Sequence, residues 1–303
     1  MAPQERVLQA GRRQPDLGGA PLHAGCIARA EQTVRAIRFR RRIAAPPRFH
    51  GTACDAYDEL PYGKGVAMLL NFREVSGLRG HDGRAIRPGM IFRGGAVTDP
   101  ATAARLGGHG VTTVFDLRNR REEAARPSAL RELGLRHPLR HHDIDLAAPI
   151  RLVRDGAADA ESNRAAMLAI YGDFHSVFRP TFEAAFADLV TGEGPVYIHC
   201  AVGKDRTGAM TALLLQALGV EREAVYHDYL LSNGAYQEIA ASVRVRHPHL
   251  ASMDDPALRP VLQVEAAYLD AFLDSIGPAK TYLRRKIGLD EAAFAALRRR
   301  FLE

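Results

Sequence analysis

A cysteine and an arginine separated by five residues can carry out phosphoryl chemistry if one loop folds them around a common point. This chain holds such a pair, Cys200 and Arg206, inside Val196–Gly208, VYIHCAVGKDRTG. The apolar run Val196–Ile198 reads as a strand, and the alanine- and leucine-rich run Ala209–Leu218 reads as a helix. The loop between them therefore lies at a helix N-terminus, where free backbone N–H groups meet the positive end of the helix dipole. Such a place binds an oxyanion. It also lowers the pKa of a cysteine, so Cys200 is expected to be substantially thiolate at neutral pH. Arg206 can grip two phosphate oxygens side by side. The N–H groups of Ala201, Val202, Gly203, Lys204, Asp205 and Arg206 would hold the non-bridging oxygens, where preformed donors stabilise the transition state. Thr207 can hydrogen-bond the departing thiolate, and His199 is better suited to ordering the loop from beneath than to acting as a base.

Gly203-Lys204 invites comparison with a nucleotide-binding Walker loop, but Ile198 stands where that motif needs its first glycine and Asp205 where it needs Ser or Thr. The leaving oxygen needs a proton. Asp205, inside the loop, is the first candidate to give it. Asp116 follows, at the end of the β-branched run Val111–Leu117, where functional groups gather in a mostly parallel sheet. Asp145 and Asp143 come after, in the segment His137-Pro-Leu-Arg-His-His-Asp-Ile-Asp. For Asp116, a structural role in binding loop backbone or Arg206 is an equal reading. Lys204 reads as a positive charge on the rim of the site or as an ordinary exposed lysine. The histidines near 140 lack distant partners with metal-ligand spacing, so no metal is expected.

Cys200-x-x-Gly203-Lys204-Asp205-Arg206-Thr207-Gly208, preceded by His199, resembles the phosphate-binding loop of the protein-tyrosine phosphatase superfamily. It looks most like the bacterial branch that acts on phosphotyrosine, phosphoserine/threonine and phosphoinositides. The order Asn71-Phe72-Arg73, Asp82-Gly83-Arg84, Arg87-Pro88-Gly89 and Phe92-Arg93 resembles the N-terminal part of the same branch. The resemblance implies an α/β fold, a central mostly parallel sheet flanked by helices. It also implies a phosphocysteine intermediate, no cofactor, a catalytic Asp-Leu-Arg element at Asp116, and lid helices over the pocket. The Trp-Pro-Asp acid loop of better-known tyrosine phosphatases is missing, for the chain contains no Trp. Substrates would be phosphorylated proteins, with a phosphoinositide-directed lipid phosphatase as the alternative. A phosphate-reading module with a dead loop is disfavoured by the intact Cys200, Arg206 and Thr207. A sulfur-transfer enzyme is disfavoured by Arg206 with Thr207.

The 303 residues can bury a full core. Basicity is concentrated at the start: before residue 68, Lys and Arg number 11 against 6 Asp and Glu, whereas the rest carries 30 against 29. The overall charge therefore gives no argument for nucleic-acid binding. Residues 1–66, with the cluster Arg38–Arg42 and no sustained period, read as a disordered or mis-annotated basic segment; Met68 is a candidate start, and residues 67–303 form the catalytic domain. No run long and apolar enough to span a membrane exists, and no secretory signal is convincing. Three scattered cysteines argue against a disulfide framework, so the cytoplasm is the default location, with secretion lacking a signal peptide left open.

Elsewhere, Asn71–Val75 and Gly89–Gly95 read as a strand pair, and Asp99 as the cap of a helix over Pro100–Leu106. Leu135–Leu139 reads as a short strand and Gly156–Ser162 as a flexible break. Arg164–Tyr171 and Phe174–Leu189 read as helices with an apolar stripe, kinked or divided at Pro180. Further helices are expected over Glu221–Leu231, Ala235–Arg246, Val261–Ile276, Thr281–Ile287 and Asp290–Leu302.

Overall fold

Four short strands, β1 (Arg73–Glu74), β2 (Ile91–Gly94), β3 (Thr113–Asp116) and β4 (Val196–His199), form a sheet in the order β1-β2-β4-β3. β1 is antiparallel to β2, while β2 and β3 run parallel to β4 on either side of it. The computed structural model describes residues 69–143, 159–247 and 255–303, all within one structural unit, Ala45–Glu303. The basic segment 1–66, Met68 and Asp145 lie outside the described residues.

Every residue of β2, β3 and β4 is buried, as expected for parallel strands covered on both faces. The register puts Phe92, Tyr197 and Val114 in one row. Their side chains join Val97, Leu106 and Leu130 in the smaller core. The alternate residues Ile91, Ile198 and Phe115 face the larger core on the opposite side. This is the two-residue period of a pleated strand, with an apolar layer on each face.

Around the sheet stand α1 (Pro100–Gly107), α2 (Arg120–Ala125), α3 (Ala160–Val177), α4 (Arg179–Thr191) and α5 (Asp205–Ala217). They are followed by α6 (Arg222–Leu230), α7 (Tyr236–Arg246), α8 (Asp255–Leu262), α9 (Ala266–Ile276), the short α10 (Ala279–Tyr282) and α11 (Glu291–Phe301). The caps are those the sequence predicts: Asp99 Oδ1 accepts from Thr102 N at 2.8 Å, and Asp290 Oδ1 from Ala293 N at 2.7 Å. α5 is buried along almost its whole length, which explains its unbroken apolar composition. The stripe on α3 and α4 continues into α9: Phe272 lies 6.2 Å from Phe174 and 6.1 Å from Phe182, ring centre to ring centre.

Several sequence expectations are corrected. Leu135–Leu139 makes only an isolated bridge, Arg136 beside Thr113, and not a strand. Ala160 to Ser162, read as part of a break, form the first turn of α3, because Asp159 Oδ1 caps it by accepting from Ser162 N at 2.8 Å. Val261–Ile276 is two helices, since Asn233 occupies both the N–H and the C=O of Val264 and ends the helical ladder there. The division expected at Pro180 is found: one helix ends at Val177, and Pro180 sits in the first turn of α4, where a missing N–H costs nothing. Thr281–Ile287 ends in a π-helical turn, Leu283–Ile287, closed by Gly288 in the left-handed region at φ 89°.

β2, β4 and β3 end in one row, Gly94, His199 and Asp116. The loop after β4 therefore opens at the carboxyl edge of the parallel strands, where open α/β sheets bind ligands. Phe272 joins α9 to the aromatic stripe and is fully buried. Phe272→Ala is expected to cost roughly 3–5 kcal/mol by urea denaturation, whereas loss of an exposed chain such as Val245 should cost under about 0.5 kcal/mol.

Candidate active site

The loop from Cys200 to Lys204 has no regular structure and runs straight into α5 at Asp205. Its sharpest point is Gly203, at φ 72°. A Cβ there would lie 2.3 Å from the carbonyl carbon of Gly94, so the loop can rest on the end of β2 only with glycine. Two buried side chains hold the same peptide. Asn71 Nδ2 donates to Gly203 O at 2.9 Å, and Arg93 Nη2 donates to it at 3.2 Å. Arg93 is in turn paired to Asp228 at 2.5 Å, and Asp228 also accepts from Arg73 Nε at 2.9 Å. Burial alone would raise the Asp228 pKa, but the Arg93 and Arg73 charges hold it below the usual carboxylate range.

Cys200 is buried, only 2 % exposed. Burial pushes its thiol up; the Arg206 charge and the hydroxyl and N–H of Thr207 outweigh this and bring it below the ordinary thiol value. The Thr207 oxygen has no other hydrogen-bond partner among the described residues. Among the same residues, the N–H groups of Ala201 to Arg206 donate to no protein acceptor. Beneath the loop, fully buried His199 places Nδ1 3.2 Å from Cys200 O and 3.7 Å from Asp116 Oδ1.

Arg206 is held on both sides. Its Nη1 donates to Leu117 O at 3.0 Å, and its two Nη atoms bind Glu122 Oε2 and Oε1 at 2.6 and 2.7 Å, a bidentate pair. Glu122 also closes a capping box with Asn119 at the start of α2. Burial raises the Glu122 carboxyl, but the Arg206 charge and hydrogen bonds prevail and take it down to about 2. The sequence reading missed Glu122, although Asn119-x-x-Glu122 is a legible capping box. It also missed Tyr171, whose hydroxyl donates to Asp205 Oδ1 at 2.8 Å and accepts from Tyr229 at 2.8 Å.

Two expected site residues lie differently from their sequence reading. Lys204 is not on the rim. It is 1 % exposed, and its Nζ donates to Val261 O and to Gln263 O (3.1 Å) and lies 3.3 Å from Asp205 Oδ1. The carbonyls that α8 leaves unpaired at its C-terminal end draw it inward. Asp116 is buried against Arg118, which donates from Nε at 2.9 Å and from Nη2 at 2.7 Å. Burial pushes the Asp116 carboxyl up, but His199 and Arg118 drive it far below its usual range, a poor state from which to give a proton. Asp143 is exposed, 3.6 Å from Arg120. His141 and His142 bond the carbonyls of Arg118 and Leu117, and among the described residues no three potential ligands converge on a metal position.

A cavity of about 510 Å³ opens over the loop. Ala201, Val202, Lys204, Asp205 and Arg206 form one wall, and Met167, Ile170 and Phe174 of α3 another. α7 adds Ile239 and Val243; the end of α8 adds Val261 and Leu262. Cys200, 2 % exposed, is not itself among the residues that line this cavity. The resemblance puts lid helices in residues 164–189; of the two helices there, α3 lines the cavity and α4 does not, and α7 and α8 complete the roof. A loop whose amides lack protein acceptors, beside the Arg206 guanidinium and under an apolar roof, is suited to binding a phosphate.

Comparison with known proteins agrees. Residues 65–303 match the family model described as "Tyrosine phosphatase family". A Cupriavidus necator protein provisionally named a tyrosine-protein phosphatase is 32% identical over 237 residues, covering 74% of this chain and 84% of its own length. The triple specificity protein phosphatase PtpB of Mycobacterium tuberculosis is 33% identical over 199 residues, covering 57% and 70% respectively. A tyrosine-protein phosphatase of Nostoc commune is 30% identical over 129 residues, 40% of this chain and 44% of its own. The chain belongs to the tyrosine phosphatase family and is a protein-tyrosine phosphatase. Among the described residues no helix is long and apolar enough to cross a membrane.

Two measurements probe this geometry. Gly203→Ala adds left-handed strain to a backbone clash and should cost roughly 2–6 kcal/mol in urea denaturation. Glu122 is depressed on folding, so its share of stability is complete above its unfolded pKa near 4.5 and is lost as pH falls toward about 2. A Glu122→Gln variant should therefore lose less stability than the parent chain between about pH 5 and pH 2.

Proposed function

We propose that the chain hydrolyses phosphate monoesters, phosphotyrosine first, through a phosphocysteine intermediate. The observation that carries this is a buried cysteine shifted toward thiolate, set behind a loop whose amides lack protein acceptors and beside an arginine fixed by Glu122. The Cys200 sulfur attacks phosphorus in line. The bond to the leaving oxygen breaks, and that oxygen takes a proton from Asp205 to leave as a phenol or alcohol. Water then attacks phosphorus and gives its proton to Asp205. The sulfur–phosphorus bond breaks, inorganic phosphate departs, and Thr207 steadies the returning thiolate. The amides of Ala201, Val202, Gly203, Lys204, Asp205 and Arg206 hold the equatorial oxygens throughout.

Asp205 is preferred over Asp116 because its side chain faces the cavity and is 23% exposed, whereas Asp116 is enclosed. Asp116 and Lys204 serve as positioning residues. Asp116 aligns Arg118 and His199 under the loop, and Lys204 ties the loop to the end of α8. Phosphoserine and phosphothreonine are within the reading, since one relative is named for triple specificity. A phosphoinositide-directed activity is the second reading, favoured by the arginines around the cavity. A thiolate enzyme suits a reducing compartment such as the cytoplasm.

Cys200→Ser should abolish turnover of an aryl phosphate while still binding it, and EDTA should change nothing; metal-dependent turnover that survives the substitution would refute the mechanism. Asp205→Asn should lower kcat about 100-fold or more and remove the basic limb of its pH profile. Asp116→Asn should leave that limb in place. Relative kcat/KM on phosphopeptides and phosphoinositides decides the substrate class.

A further inference from the structure

Five arginines stand on the cavity wall: Arg118, Arg121, Arg126, Arg206 and Arg246. Two are neutralised within the protein, Arg118 by Asp116 and Arg206 by Glu122. The others have no carboxylate partner among the described residues. Among the described residues the Arg126 side chain donates only to the Thr98 hydroxyl at 3.2 Å, and the Arg246 side chain only to the Ser242 carbonyl one turn back at 3.0 Å. Both are partly buried, and the remaining N–H groups of two planar guanidiniums lie unused on one wall. Partly buried like charges are costly unless an anion joins them. The Arg246 charge is in fact disfavoured, first by burial and then by Arg126.

Arg126 also lines a second depression of about 390 Å³, which shares Ala96 and Ala201 with the main cavity. Ser242, the carbonyl partner of Arg246, lies in its wall. The two arginines therefore stand where the cavity passes into this groove. The groove mixes Leu69, Leu70 and Thr98 with the carboxyl groups of Asp99 and Glu238. Such a lining suits a chain of amide groups and assorted side chains. It opposes a continuous anionic surface such as a membrane, because the two acids repel anything negative beyond the arginines.

We propose that Arg126 and Arg246 form a second anion subsite that selects phosphopeptides bearing an acidic or phosphorylated residue close to the scissile phosphate. This rests on the reading of the Cys200 loop as the catalytic centre. The incoming carboxylate or phosphate accepts from both guanidiniums, a charge-assisted pairing in a partly dried groove. The peptide then continues into the depression, with its scissile phosphate on the loop.

The test uses the full chain and matched phosphotyrosine peptides that differ only by Glu or Gln at positions flanking the phosphotyrosine. At least one flanking Glu is expected to raise kcat/KM about tenfold over its Gln counterpart. The ratio should fall toward one as salt rises. The double variant Arg126→Gln, Arg246→Gln should bring it to about one at low salt as well. If the double variant does not fold, the wild-type ratio and its salt dependence decide alone. Equal kcat/KM for every Glu and Gln pair, with p-nitrophenyl phosphate still turned over through Cys200, overturns the subsite and leaves the catalytic reading standing. No turnover of p-nitrophenyl phosphate at all defeats both. A third arm uses vesicles of neutral lipid with and without a phosphoinositide. Selective loss of vesicle hydrolysis in the double variant, with the peptide ratio unmoved, assigns the arginines to a lipid headgroup and overturns the peptide proposal.

Discussion

The proposed chemistry depends on keeping a sulfur anion stable at an almost completely buried position. Burial by itself favours the neutral thiol, and Cys200 is almost completely buried. What reverses the balance is the Arg206 charge, and that charge helps only because it is immobile. Glu122 grips the guanidinium with two hydrogen bonds, and Leu117 O takes a third. A free arginine would lose side-chain entropy each time it met the substrate. Here that ordering is complete before binding, which is what electrostatic preorganisation requires. Glu122 can do this because the capping box fixes it against its own helix. A short local motif at one helix start thus controls the charge at another helix start.

The loop needs comparable rigidity, and it comes from contacts distant in sequence. Gly203 presses on Gly94 at the end of β2, while Asn71 and Arg93 hold its carbonyl. Asp228 accepts from both Arg93 and Arg73, so neither arginine is without an anionic contact under the loop. The amides that have no protein acceptor are therefore held open by the contacts of Gly94, Asn71 and Arg93 with Gly203. Among the described residues the loop amides lack protein acceptors where a phosphate would meet them, and an unpaired group calls for an explanation.

Much of this could be read from the sequence because the loop is local. Strand, loop and helix follow one another from Val196 to Ala217, and the residue types alone declare an anion site. The strands Val196–His199 and Thr113–Asp116, the paired β1 and β2, and the caps at Asp99 and Asp290 were legible for the same reason: each is a pattern within a few residues. What escaped depends on tertiary contact. Lys204 reads as an exposed loop lysine until the end of α8 is brought beside it, 57 residues away. Asp116 stays the second candidate acid, after Asp205, until Arg118 folds onto it and the cavity opens before Asp205. Glu122 stood in a recognisable motif, but its partner lies 84 residues further on. The split between α8 and α9 depended on Asn233 capturing Val264.

Asp205 shows how such distant contacts combine at one atom. The Tyr229 hydroxyl donates to Tyr171, and Tyr171 donates to Asp205 Oδ1, with Lys204 Nζ near the same oxygen. Burial, with Asp205 the next cause, keeps the Tyr171 hydroxyl protonated, so the direction of this chain is fixed. One carboxylate oxygen is thereby occupied and the other is left for the cavity. Lys204 also binds the end of α8, whose Val261 and Leu262 line the apolar roof. Lys204 thus touches both Asp205 and the end of the helix that forms the roof. Displacing α8 would withdraw Val261 and Leu262 from the cavity and release the lysine from its carbonyls, so shielding from water and the setting of Asp205 cannot change separately. On the proposed mechanism, a proton held at Asp205 under this roof would be kept for the leaving group and away from solvent.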